Sequence, residues 1–231
     1  MSSIADYIFV ITNNVYTKEA IYLIVKRILS LLYALELSLG LTPKGFTDVP
    51  LVAENNFEKV SNIVGRNELK LLYIIANFKR NCDLNYLRQN IRDLGYNISS
   101  DNDLLQFLLG LFERYVRKIL SHFGHSIGNG NIFKLIKEYE QKRKEQKPIS
   151  ILLNLMTLLP NRLILRDNRH RGIIELFIIF RHKLRLGDFL RILVLKFSAI
   201  LLYRGRDEVI SSPKLKDIGH NIAHLWHEYM I

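Results

Sequence analysis

The sequence predicts an all-α protein, a multi-helix bundle, and three observations carry that expectation. Apolar residues recur at steps of three and four over most of the chain. Residues that start and stop helices stand at the borders of those segments. Nowhere does an alternation of apolar and polar residues persist as a half-buried strand would require. Of the 231 residues 48% are hydrophobic, with 12 Phe and 11 Tyr, so there is apolar surface enough for a packed core and no case for global disorder.

Each element follows from its own signals. From Thr17 to Leu39, Ile21, Ile24, Val25, Ile28, Leu31, Leu32 and Leu35 form one helical stripe, with Thr17 as the expected N-cap and Gly40 and Pro43 as the stop. Thr42 to Gly65 contains Pro43, Gly45 and Pro50 and reads as a loop holding a short helix around Phe57. Three helices follow, Glu68 to Lys79, Asp83 to Leu94 and Asp101 to about Leu120, with Asp83 and Asp101 as N-caps and Gly95 at a C-terminal cap. Gly124 to Asn131 is a glycine-rich loop. The next helix, Ile132 to Lys147, ends in a charged run before Pro148, which marks the best domain boundary. The chain therefore reads either as two helical subdomains, 1–147 and 148–231, or as one continuous domain. Beyond Pro148 come Ile151 to Leu159, a basic connector from Asn161 to Gly172, and helices Ile173 to Leu186, Asp188 to Tyr203 and Leu215 to Met230. Gly187 and Asp188 are read as the corner of a tight helical hairpin. No internal repeat is present.

Charge narrows the partner. Thirty-three Lys and Arg against 22 Asp and Glu give a net charge of +11. A surplus of that size favours a polyanion, because neutralised phosphates release condensed counterions. The single cysteine, Cys82, excludes an intramolecular disulfide and points to a reducing, cytoplasmic setting. In Lys79-Arg80-Asn81-Cys82 it reads as a thiol at a helix end rather than a nucleophile. Met1 to Val10 lacks the basic start and apolar run of a secretory signal. Lys26, Arg27 and Glu36 interrupt the apolar stretch Ile21 to Leu41, and Arg191 and Lys196 interrupt Phe189 to Tyr203, so no membrane partner is expected.

The positive charge concentrates between Arg162 and Arg206. Arg162, Arg166, Arg169, Arg171, Arg181, Lys183, Arg185, Arg191, Lys196, Arg204 and Arg206 stand there against Asp167, Glu175 and Asp188. Arginine dominates, and its planar fork binds phosphate bidentately and stacks on bases. Arg162, Arg166, Arg169, His170, Arg171, Arg181, Lys183 and Arg185 are therefore the candidate nucleic-acid contacts. A hydrated basic face, or one that docks an acidic protein, is the alternative.

Near the C-terminus His220, His224 and His227 fall within one narrow helical face, opposite Ile222, Leu225, Trp226 and Tyr229, and are expected to face solvent or a partner. His220 and His224, four apart, could share a metal ion, but His227 lies roughly 10 Å of helical rise from His220. Asn221 stands where a zinc protease would need glutamate, and no metal or other cofactor is expected.

A paired helix reading of Leu84 to Gly95 and Asp101 to Leu111 as a DNA reader is opposed by Leu104, Leu105, Phe107, Leu108, Leu109, Leu111 and Phe112, which suit a core and not a groove. Glycine-rich phosphate loops, Ser-His-Asp arrangements and paired acid-base carboxylates are not recognisable.

Arg117-Lys118-Ile119-Leu120-Ser121-His122 resembles the Arg-x-x-x-x-His signature of the HEPN superfamily, helical proteins that include RNA-cleaving enzymes. Asp188 to Tyr203, Gly205 and Lys216 to Trp226 resemble the helix, loop and histidine-led helix of HEPN domains. The order differs from a standard domain, where the catalytic pair follows this region. Arg181-His182-Lys183-Leu184-Arg185-Leu186-Gly187 resembles the catalytic stretch with leucine in place of histidine, which implies a dead site there. For Arg117 and His122 the resemblance implies metal-independent RNA cleavage: the 2′-hydroxyl attacks the adjacent phosphate, His122 moves a proton and Arg117 stabilises the developing charge. On a regular helix the two point about 140° apart, so one phosphate is reached only if the helix frays before Gly124 or two protomers share a site. The alternative is a solvated face of Arg114, Arg117 and Lys118, with His122 favoured by the helix dipole. The expected function is RNA binding, as a ribonuclease or its inactive relative. The rivals are a scaffold subunit in a nucleoprotein complex and a DNA-binding regulator, and a homodimer is among the assemblies expected.

Overall fold

In the computed structural model, residues 2–13, 15, 17–65, 68–124, 134, 138 and 186–230 are described. About 83% of them are helical, with no strand among them, so the protein is an all-α assembly of packed helices. In chain order the helices are α1 (Ser2–Thr12), α2 (Thr17–Ser38), α3 (Val49–Asn55), α4 (Phe57–Val64), α5 (Leu69–Asn81), α6 (Leu84–Asp93), α7 (Asp101–His122), α8 (Leu186–Arg204), α9 (Arg206–Ser211) and α10 (Pro213–Met230). They fall into two compact units, one holding α2–α7 and the other joining α1 to α8–α10. No helix among the described residues is long and apolar enough to cross a membrane. The boundary expected near Lys147 lies outside the described residues, as do the helix expected over Ile151 to Leu159, all but Lys134 and Glu138 of that expected over Ile132 to Lys147, and all but Leu186 of that expected over Ile173 to Leu186.

The α2–α7 unit is organised around the pairing of α2 with α7. Of the stripe read from sequence on α2, Ile21, Ile24, Val25, Ile28, Leu32 and Leu35 are buried and Leu31 is half-buried, and they are joined in the core by Leu104, Leu108, Leu111, Phe112 and Tyr115 on α7. Each such side chain contributes roughly 1.5–3 kcal/mol when withdrawn from water. Thr17 is the first helical residue and not the cap before it. At the other end Gly40 adopts φ +76, its N–H donates to the Leu37 carbonyl at 3.1 Å, and the Leu41 N–H donates to the Glu36 carbonyl at 2.9 Å. Those two bonds define a Schellman stop, which a left-handed glycine makes inexpensive. Gly95 closes α6 in the same way, with Gly95 donating to Arg92 and Tyr96 to Ile91.

Asp83 caps α6 as expected, accepting from the backbone N–H groups of Asn85 and Tyr86 at 2.9 and 3.1 Å. For α7 the cap is Ser100, one residue earlier than expected. Its hydroxyl accepts from the Asp103 N–H at 3.1 Å while the Asp103 carboxylate accepts from the Ser100 N–H at 2.8 Å, a reciprocal capping box. Asp101 is thereby released to pair with Arg88 at 2.8 Å. The segment read as a loop with one short helix contains two, α3 and α4. Pro50 enters α3 in its first turn, where a missing N–H does no harm.

In the other unit α1 and α8 pack on α10. α1 was not legible as a helix because Ala5, Tyr7, Ile8, Val10 and Ile11 are all buried, which leaves little polar face to mark a period. α8 coincides with the helix read over Asp188 to Tyr203, and Leu190, Ile192, Leu193, Val194, Phe197, Ala199, Leu201 and Leu202 are buried along it. α8 already includes Leu186 and Gly187, so Gly187 does not close a helix there and Asp188 is not the cap of the next. Gly219 of α10 permits the closest approach: a Cβ there would stand 2.7 Å from both Phe197 of α8 and Thr12 of α1.

Candidate nucleic-acid interface

Arg117 and His122 both lie on α7 and both are exposed. The helix runs unbroken through His122, so it does not fray before Gly124, and the two side chains leave its axis about 140° apart. One protomer therefore does not gather them around one phosphate. His122 sits against the ring of Phe123, with centroids 5.2 Å apart. Lys118 does not belong to a solvated face with Arg117. Its ammonium donates to the Val64 carbonyl at the end of α4 and pairs with the Glu68 carboxylate at 3.0 Å, tying α7 to the α4–α5 junction. Arg114 stands 4.0 Å from the same carboxylate.

Of the basic stretch, Arg162, Arg166, Arg169, His170, Arg171, Arg181, Lys183 and Arg185 lie outside the described residues. Its C-terminal members are placed. Arg191 and Arg204 are exposed and Lys196 is half-buried along α8. Arg204 pairs with Glu208 at 3.2 Å, and Arg206, largely buried, lies 3.7 Å from Asp207. The sequence locates the charge surplus: residues 127–185 contain 13 Lys and Arg against 5 Asp and Glu, whereas residues 14–126 contain 14 against 11.

The histidine face divides. His220 and His224 are exposed, with ring centroids 6.2 Å apart, and His224 pairs with Glu228 at 3.3 Å. Among the described residues no group of three or more His, Cys, Asp or Glu side chains is placed to hold a metal ion. His227, expected to face solvent, turns inward instead. Its Nε2 lies 3.1 Å from the Asp6 carboxylate, outside hydrogen-bond alignment, and its ring meets Phe9 edge-on at 4.8 Å. Asp6 is 1% exposed, so the inward turn brings the His227 imidazole of α10 to a buried carboxyl group of α1. Tyr229, expected in the buried stripe, is exposed, while Ile218, Ile222, Ala223 and Trp226 fill it. Cys82 occupies the left-handed C-cap of α5 at φ 54 and is exposed, as a thiol at a helix end.

Sequence reasoning passed over Asp6 and took Glu36 only as an interruption of an apolar stretch. Both fall on apolar stripes, Glu36 four residues after Leu32 and Asp6 between Ala5 and Tyr7, and a lone acid at a core position is the signal that marks them. The α7 segment weighed as a DNA-reading helix is core, with Leu104, Leu108, Leu109, Leu111 and Phe112 buried. No family model, curated protein or solved structure matches the chain.

Proposed function

We propose that the protein binds RNA through the arginine-rich stretch from Arg162 to Arg206 and that a single protomer does so without cleaving it. The concentration of positive charge in residues 127–185, beside a nearly balanced 14–126 segment, supports this reading. Arginine favours phosphate and base stacking over mere solubility. The continuity of α7 through His122 argues against cleavage within one chain. A HEPN-type ribonuclease remains the second reading, with Arg117 of one protomer and His122 of another at a shared site, because both residues are exposed near the same helix end.

The test is metal-free incubation of the purified protein with labelled single-stranded RNA and duplex DNA across a salt series, read for binding and for cleavage. RNA binding that weakens steeply with salt, with the strand left intact, is the expected result. Cleavage that disappears in His122→Ala would replace it with the ribonuclease reading. Sequence-selective preference for duplex DNA, or binding to neither polymer, would overturn it.

A further inference from the structure

Of the three histidines grouped on α10, His227 is withdrawn toward Asp6, which leaves His220 and His224 exposed to solvent and one turn apart. Their ring centroids stand 6.2 Å apart, with the ring planes inclined at 43°. A helical side chain leans over the turn that precedes it, so Glu228 leans toward His224 and His224 toward His220. That order is present in the structure, where the Glu228 carboxylate lies 3.3 Å from Nδ1 of His224. An imidazole whose Nδ1–H faces a carboxylate keeps its lone pair on Nε2, the nitrogen then open to a metal ion. The neighbouring charges favour a cation: Lys216 and Asp217, one turn before His220, offset each other, and Glu228 leaves one negative charge over. Among the described residues no third His, Cys, Asp or Glu joins the pair.

Histidines four apart on one helical face supply two of the ligands in helical zinc sites. Two imidazoles on a tetrahedral ion, at about 2.0–2.1 Å per bond, hold their ring centroids about 5 Å apart. His220 and His224 therefore have about 1 Å to close, which small rotations of two exposed side chains supply without moving the helix. We propose that His220 and His224 form a two-point clip for one divalent transition-metal ion of the zinc and copper class, with water filling the remaining coordination positions. Imidazole selects such ions over Mg²⁺ and Ca²⁺, which take oxygen ligands. The two ligands hold this spacing only while α10 is helical, so the ion binds the folded chain in preference to the unfolded one. The site stands on α10 and does not depend on the RNA-binding reading.

The experiment uses the full chain, stripped of metal by a chelator that is then removed, and its His220→Ala, His224→Ala and Asn221→Ala variants, each checked by circular dichroism. Alanine preserves the helix, and Asn221, exposed beside His220, controls for a change of the same surface that removes no imidazole. Zinc chloride and magnesium chloride are titrated separately by calorimetry. Each histidine variant should lose one bound Zn²⁺ per chain or hold it at least about tenfold more weakly, while Asn221→Ala stays within about twofold of the unsubstituted chain. Mg²⁺ should give no binding that either histidine variant removes. Zn²⁺ should also raise the Tm of the unsubstituted chain and of Asn221→Ala by more than that of either histidine variant. No Zn²⁺ binding by the unsubstituted chain, undiminished binding by either histidine variant, or a loss in Asn221→Ala as large as theirs would overturn the proposal.

Discussion

Replacing Glu36 with Gln should flatten the pH dependence of stability. Glu36 is 1% exposed near the end of α2, and neither carboxylate oxygen has a hydrogen-bond partner among the described residues. Burial pushes its pKa from 4.5 up to about 8. Between those values the folded chain keeps a proton that the unfolded chain has released, so stability falls as pH rises, by at most about 1.4 kcal/mol per pH unit. Below 4.5 both states hold the proton and the penalty vanishes. By pH 7 it reaches at most about 3 kcal/mol, an upper bound because water entering the site would hydrate the carboxylate. Glutamine keeps the shape and removes the titration but leaves an amide buried, so at about pH 4.5 the variant should lie within roughly 1 kcal/mol of the unsubstituted protein. At about pH 8 it should be more stable by roughly 2–4 kcal/mol. Urea unfolding followed by circular dichroism at a series of pH values measures both curves. Parallel curves for the two proteins would show that Glu36 is hydrated or paired in solution and would refute the reasoning.

Ser100→Ala removes the serine half of the α7 capping box and should lower stability by about 1 kcal/mol in urea unfolding. Hydrogen bonds from Ser99 and Ser100 hold the Asp103 carboxyl near 2, so its contribution is present above the ordinary aspartate value and should be lost as pH falls toward 2. Asp103→Asn should remove that acid-side change and leave the neutral-pH fold intact by circular dichroism. Gly219→Ala forces a methyl group to within 2.7 Å of Phe197 and Thr12, and should destabilise the protein by about 1–3 kcal/mol in thermal unfolding monitored at Trp226. If a shared Arg117–His122 site exists, Arg117→Ala and His122→Ala proteins should each be inactive on RNA and regain cleavage when mixed; no activity in the unsubstituted protein and in the mixture supports binding alone.

Local order was well expressed in the sequence wherever a helix has a wet face. α2, α5, α6 and α7 carry clear stripes, and Asp83, Gly40 and Gly95 mark ends by chemistry that acts within a few residues. α1 was not legible because burial on several sides erases the period, whereas the helix read over Asp188 to Tyr203 is present as α8. The shift from Asp101 to Ser100 at the α7 cap goes with a pairing of Asp101 to Arg88, thirteen positions earlier in the chain. The inward turn of His227 depends on Asp6 at the far end of the chain, and the tie from Lys118 to Glu68 depends on how α7 meets the α4–α5 junction. Such pairings are tertiary, and spacing along one helix cannot announce them. The candidate interface was legible chiefly as composition: an excess of arginine names the charge of a partner, while the spacing of Arg117 and His122 on α7 leaves their side chains about 140° apart within one chain.

The most direct measurement is the affinity for single-stranded RNA as a function of salt, for the unsubstituted protein and for a triple variant in which Arg166, Arg169 and Arg171 are each replaced by Gln. If the arginine-rich stretch follows the phosphate chain, the slope of log affinity against log salt should fall by about 2 in the variant, with weaker binding at every salt concentration. An unchanged slope and affinity in a folded variant, or no RNA binding by the unsubstituted protein, would contradict the account.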